Sequence, residues 1–152
     1  MTIDFAALKK EFPYKWRVQS YSKNKPQAQC VAYIDARDVM DVLDAVCGPA
    51  NWQSDFKTVT DKVYAGIGVL CEGEWVWKWD TGAESNMEAE KGLASDSFKR
   101  AAVKWGVGRF LYDLDIKYVQ ANEVQTQGKY PYVVDANGKR VFDLTKHINS
   151  MK

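Results

Sequence analysis

Between residues 91 and 112 stand five basic side chains, Lys91, Lys99, Arg100, Lys104 and Arg109, against one acid, Asp96. Fixed cations at that density do one kind of chemistry: they hold a polyanion, phosphate by phosphate. A merely solvated helix face is built from the same residue types, so the surroundings decide between the two. The whole chain carries 21 Lys and Arg against 20 Asp and Glu, a net charge of +1. Bulk charge therefore attracts nothing, and any polyanion must be held by a local patch.

Other chemistry finds no support. No GxxxxGK[ST] loop is present to cradle a nucleotide phosphate, and Gly106-Val107-Gly108 follows a helical pattern instead of joining a strand to a helix. The single histidine, His147, completes no Ser/His/Asp or Cys/His arrangement. Cys30, Cys47 and Cys71 are odd in number and widely spaced, which argues against a disulfide framework and a zinc site. Neither an enzyme nor a cofactor or metal is expected.

The cations ride on the most strongly patterned stretch, Ser85 to Leu114. Ser85 and Glu88 form a capping-box signature. Leu93, Ala94, Phe98, Ala101, Ala102 and Trp105 then draw one apolar stripe on a helix. Gly106 and Gly108 interrupt it, and Arg109 to Tyr112 reads as a further short turn.

The remaining elements must position that helix. Residues 4–12 read as a short helix with Phe5, Leu8 and Phe12 on one side, stopped by Pro13. Tyr14–Tyr21 and Gln27–Ile34 alternate with the two-residue period of strands, and Ser22 to Pro26 supplies the turn. This hairpin presents Lys15, Arg17, Lys23 and Lys25 outward. Such residues serve equally to discourage edge-to-edge pairing or to face a ligand. Asp35 caps a second helix with a stripe of Val39, Val42, Leu43, Val46 and Cys47, ended by Gly48-Pro49. Asp38, Asp41 and Asp44 share its other face, a solvated or subunit-contacting one.

Trp52–Val59, Lys62–Glu72 and Glu74–Thr81 read as three antiparallel strands. The last places Trp75, Trp77 and Trp79 on one face. Such a row can stack bases, but the expectation is core, because the helical stripe of residues 93 to 105 needs a platform. A hairpin with an Asn137-Gly138 turn follows, between Tyr130–Val134 and Lys139–Phe142.

The expected class is α+β: a β-hairpin and an antiparallel sheet packed against a long helix. One domain spans 1–152, with a core at about 14–114 and an accessory segment at 115–152. The N-terminus lacks the pattern of a signal peptide, and no run of 18 apolar residues exists to span a membrane. An intracellular protein is expected. Basic residues interleaved with aromatics on such a scaffold suit a groove that tracks a phosphate backbone.

Taken in order, Tyr33 to Arg37, Gly48 to Trp52, Lys62 to Val69, Glu90 to Leu111 with Ser95-Asp-Ser-Phe-Lys-Arg-Ala101 at its centre, and Phe142 to Lys146 resemble the annealing domain of the Rad-fifty-two superfamily. That superfamily includes the eukaryotic recombination mediator and small phage and bacterial relatives of the Sak and DdrA type. The resemblance covers roughly residues 28 to 146.

It implies an αββαβββα-type fold that assembles into homo-oligomeric rings. Single-stranded DNA would lie in a positively charged groove, and complementary strands would be annealed without ATP, in recombination or double-strand break repair. Lys99 and Arg100 match the family's Lys-Arg pair on the DNA backbone, with Arg37, Lys104, Lys15, Arg17, Lys23 and Lys25 as secondary contacts. One member has a further arginine three residues after the pair, where Val103 stands beside Lys104. It also has a basic residue where Asp38 stands beside Arg37. The setting implied is the cytoplasm of a bacterial or phage-infected cell, with an exonuclease or a single-strand binding protein as partner. Two other readings stand beside it: passive single-strand binding, and a protein-interaction module that keeps the fold without DNA activity.

Overall fold

The computed structural model describes residues 3–82 and 89–151. The Ser85–Glu88 capping box lies outside the described residues, as do the side chains of Lys91 and Leu93. In chain order the elements are a 3-10 helix (Phe5–Lys9), β1 (Lys15–Tyr21), β2 (Gln27–Tyr33), α1 (Ala36–Cys47), β3 (Trp52–Val59), β4 (Lys62–Cys71), β5 (Glu74–Asp80) and α2 (Ala89–Trp105). A second 3-10 helix (Arg109–Asp113), β6 (Lys117–Gln120) and α3 (Leu144–Asn149) complete it. This is the expected α+β class, and the chain divides into two compact units: Met1–Phe12 with Ile34–Tyr112, and Pro13–Tyr33 with Asp113–Lys152.

The first unit is built on the antiparallel sheet β3-β4-β5. Both of its turns have two residues at positive φ: Thr60 at 50° with Asp61 at 63°, and Glu72 at 52° with Gly73 at 85°. That geometry matches the right-handed twist of the flanking strands. The register places Trp52 beside Val69, and Ile67 beside Lys78, on one face of the sheet. On that face Ala65, Ile67 and Val69 are fully buried.

α2 packs there. Its Trp105 Nε1 donates to the Ile67 carbonyl at 2.9 Å, and its Phe98 ring lies 6.4 Å from the ring of Trp52. Phe98, Ala101, Ala102 and Trp105 are buried along the expected stripe. Ser97 joins them, its hydroxyl accepting from the Gly82 N–H at 2.8 Å.

One expectation is overturned. The register puts Trp77 beside Gly68 and Trp79 beside Gly66, on the face away from α2. Strand alternation shows that the three tryptophans share a face, but not which face. The partner strand decides: Ala65, Ile67 and Val69 offer the helix side chains to pack on, whereas Gly66 and Gly68 offer only room for rings.

α1 begins with a capping box, Asp35 and Asp38 each accepting from the other's N–H at 2.9 Å. Of the acidic row on this helix, Asp38 thus closes the N-terminus, and Asp44 accepts from Trp52 Nε1 at 2.7 Å. The segment expected as a helix over 4–12 is a shorter 3-10 turn, with only Leu8 of its element buried.

The second unit is the sheet β1-β2-β6, with a bulge between Val18 and Ser20. Trp16, Ala28, Cys30, Val119, Val133 and Ile148 form its core. Of the expected hairpin the Asn137-Gly138 turn is present, with Asp135 N–H donating to the Lys139 carbonyl, but its flanks form only isolated bridges, Val134 to Arg140 and Val133 to Ala121, and not strands. α3 was not expected; it is capped by Asp143, and its Thr145 hydroxyl accepts from Trp16 N–H at 3.0 Å. A six-residue helix carries too few turns to display a 3.6-residue period.

Candidate nucleic-acid interface

With one stripe of α2 buried, neighbouring residues on its remaining surface project about 100° apart. Lys99 and Arg100 consequently leave by opposite flanks. The Lys99 ammonium reaches the Ile34 carbonyl at 3.4 Å, three residues before Arg37 in the chain. Arg100 leans toward β5, its Nε 3.7 Å from a carboxylate oxygen of Asp80, with about half of its side chain exposed. Lys104, one turn further along that flank, donates to the Trp79 carbonyl. Both lysines are tied to uncharged carbonyls. Arg100 is partly neutralised by Asp80.

Beyond Lys104 the helix ends in a cationic cluster. Arg109 donates to the Val103 carbonyl at 2.8 Å, and Lys78 to the Lys104 carbonyl at 3.2 Å. Both carbonyls belong to the last helical turn, and that of Val103 also accepts the Gly106 N–H at 2.9 Å, at the end where the helix dipole favours cations. Lys9, Lys78, Lys104 and Arg109 line one surface cavity of about 400 Å³ with Phe5, Ala6 and Trp105. The Lys78 ammonium also sits 4.4 Å from the centre of the Trp105 ring.

Of the candidate residues, Lys99, Arg100, Lys104 and Arg37 belong to the first unit, and Lys15, Arg17, Lys23 and Lys25 to the second. Arg37 is exposed near the start of α1. Lys15 and Arg17 stand on the outward face of β1, where the Arg17 guanidinium lies 5.5 Å from the Tyr33 ring. Lys23 and Lys25 occupy the β1–β2 turn, which the Ser22 hydroxyl orders by accepting from the N–H groups of Asn24 and Lys25.

Sequence reasoning passed over Lys9, Lys78 and Asp80, and counted Arg109 without assigning it a place. Arg109 carried a signal: a cation just past a glycine-terminated helix is placed to meet its last carbonyls. Lys78 and Asp80 carried none, since only strand register brings them to α2.

Among the described residues no group of three or more His, Cys, Asp or Glu is placed to hold a metal ion. Burial pushes the Cys30 thiol up to about 11 and raises those of Cys47 and Cys71. A thiol that holds its proton at neutral pH is a poor nucleophile. No helix among the described residues is long and apolar enough to cross a membrane.

The profile of the Rad52/22 family double-strand break repair protein matches residues 5–130. Two relatives share the name single-stranded DNA-binding protein DdrA. That of Deinococcus radiodurans is 32% identical over 117 residues, which cover 76% of this chain and 56% of the relative. That of Deinococcus deserti is 34% identical over 118 residues, covering 76% and 58%. The chain thus spans little more than half the length of these relatives. No solved structure matches it.

Proposed function

Because the chain belongs to the Rad52/22 family of double-strand break repair proteins, we propose that it binds single-stranded DNA and anneals complementary strands without ATP, in recombination or double-strand break repair, as an oligomeric ring. The observation that carries this reading is the arrangement on α2: Lys99, Arg100 and Lys104 stand on a helix whose opposite stripe is core. A ligand can be gripped there without disturbing packing. Lys99 and Arg100 are the primary phosphate contacts. Lys104 and Arg37 are secondary within the same unit, and Lys15, Arg17, Lys23 and Lys25 are secondary in the other.

The mechanism needs no catalytic group. Cations that hold the sugar-phosphate backbone leave bases free to meet a complement, and each contact releases condensed counterions. A second reading, passive single-strand binding, is favoured by the printed name of the two Deinococcus relatives.

Two measurements test the proposal: binding to fluorescent single strands across a salt series, and the annealing rate of complementary oligonucleotides without ATP. Affinity should fall with salt at a log–log slope of about −0.7 per phosphate contact. Binding with no acceleration of annealing would support the passive reading. No binding at all would leave a protein-interaction module.

A further inference from the structure

The face of the first unit's sheet that points away from α2 is not an ordinary solvated face. The register assigns to it Gln53, Asp55, Lys57 and Val59 of β3, Lys62, Tyr64, Gly66, Gly68 and Leu70 of β4, and Trp75, Trp77 and Trp79 of β5. Atoms of the Trp79 indole lie only 2.6 to 2.7 Å from where a Cβ on Gly66 would stand, and those of Trp77 lie 2.7 to 2.9 Å from the equivalent point on Gly68. Several atoms of one ring at nearly equal distance mean that the ring lies flat on the glycine. The two indoles are within 21° of parallel, their centres 5.5 Å apart.

Covering a glycine accounts for one face of each indole. The opposite faces point away from the sheet, both residues keep partial exposure, and Trp75 beside them is 42% exposed. The Lys57 ammonium lies over the Trp79 ring, 4.1 Å from its centre, on the face that Gly66 does not cover, so a base seated on Trp79 moves Lys57 aside toward the backbone. Two residues of this face are lysines and one, Asp55, is an acid. Flat aromatic surface on a sheet, with cations beside it, fits planar bases joined by an anionic backbone better than it fits an aliphatic partner.

We propose that Trp77 and Trp79 form a platform on which bases of single-stranded DNA stack, with Lys57 placed for the adjoining phosphate. This surface is distinct from the α2 cations, and it rests on the single-strand reading above. It would hold bases where α2 holds backbone.

The test compares two probes of equal length, an oligothymidylate and an abasic deoxyribose-phosphate chain. Trp77→Leu and Trp79→Leu should each weaken oligothymidylate binding about tenfold or more and leave abasic binding unchanged. Lys99→Ala with Arg100→Ala should weaken both. In case a leucine variant fails to fold, the wild-type protein is irradiated with 5-iododeoxyuridine oligonucleotides, and cross-links should map to Glu74–Asp80. Equal affinity of the wild type for both probes, or cross-links only elsewhere, overturns the platform while leaving the α2 reading intact. Leucine variants that lower the particle mass and weaken both probes equally would make this face a contact between copies and overturn it too. Failure of the wild type to bind either probe would overturn both readings.

Discussion

The indole of Trp79 lies flat on Gly66, in space that any other residue there would need for its own side chain. Gly66→Ala should therefore displace the ring. The expected result is a loss of about 1–3 kcal/mol from overpacking, with a shift in tryptophan emission. Denaturant unfolding followed by fluorescence checks both, and an unchanged midpoint would mean the ring is free to leave.

The same pairing shows what the sequence could and could not disclose. The positions of β1 to β5, the α1 cap and the α2 stripe from Phe98 to Trp105 were legible, because each is written in the order of residues along one element; β6 was not. Which face of β5 meets α2 was not, because it depends on Gly66 and Gly68 standing in register with Trp79 and Trp77 on another strand. The ion pair of Arg100 with Asp80 was hidden for the same reason. Lys99 and Arg100 themselves were visible through resemblance, but their tethers to Ile34 and Asp80 arise from tertiary packing.

Asp80 competes with any phosphate for Arg100. Asp80→Asn should leave stability within about 1 kcal/mol, as expected for a partly exposed ion pair. It should tighten single-strand binding and steepen the salt slope by up to about 0.7. Salt-series titrations of the variant decide this; weaker binding would show that Asp80 positions Arg100 instead of opposing it.

Ser97 is fully buried, and its hydroxyl accepts the Gly82 N–H at 2.8 Å. Ser97→Ala leaves that donor without its partner and should cost about 1–3 kcal/mol. Thermal melting measures it. A neutral change would mean that water reaches Gly82.

Alkaline pH should destabilise the fold. Burial raises the Cys30 thiol from 9.0 to about 11, so the unfolded chain loses this proton first. Below the unfolded value the contribution is fully present. It is lost as pH rises from about 9 to about 11, with a slope of up to about 1.4 kcal/mol per pH unit. Cys47, Cys71 and Tyr21 are raised as well and act in the same direction. Denaturant midpoints measured from about pH 8 to about pH 10.5 should fall, and less so in Cys30→Ala. A flat curve would contradict the burial argument.

The central claim is that the two flanks of α2 hold DNA for pairing, and the annealing rate of Lys99→Ala, Arg100→Ala tests it most directly. The substitutions remove one main-chain tether and one ion pair, both outside the core, so circular dichroism and melting should stay close to wild type. The wild-type protein should accelerate the pairing of complementary fluorescent oligonucleotides without ATP, and the folded double variant should not. Pairing by the folded double variant at the wild-type rate would contradict the account.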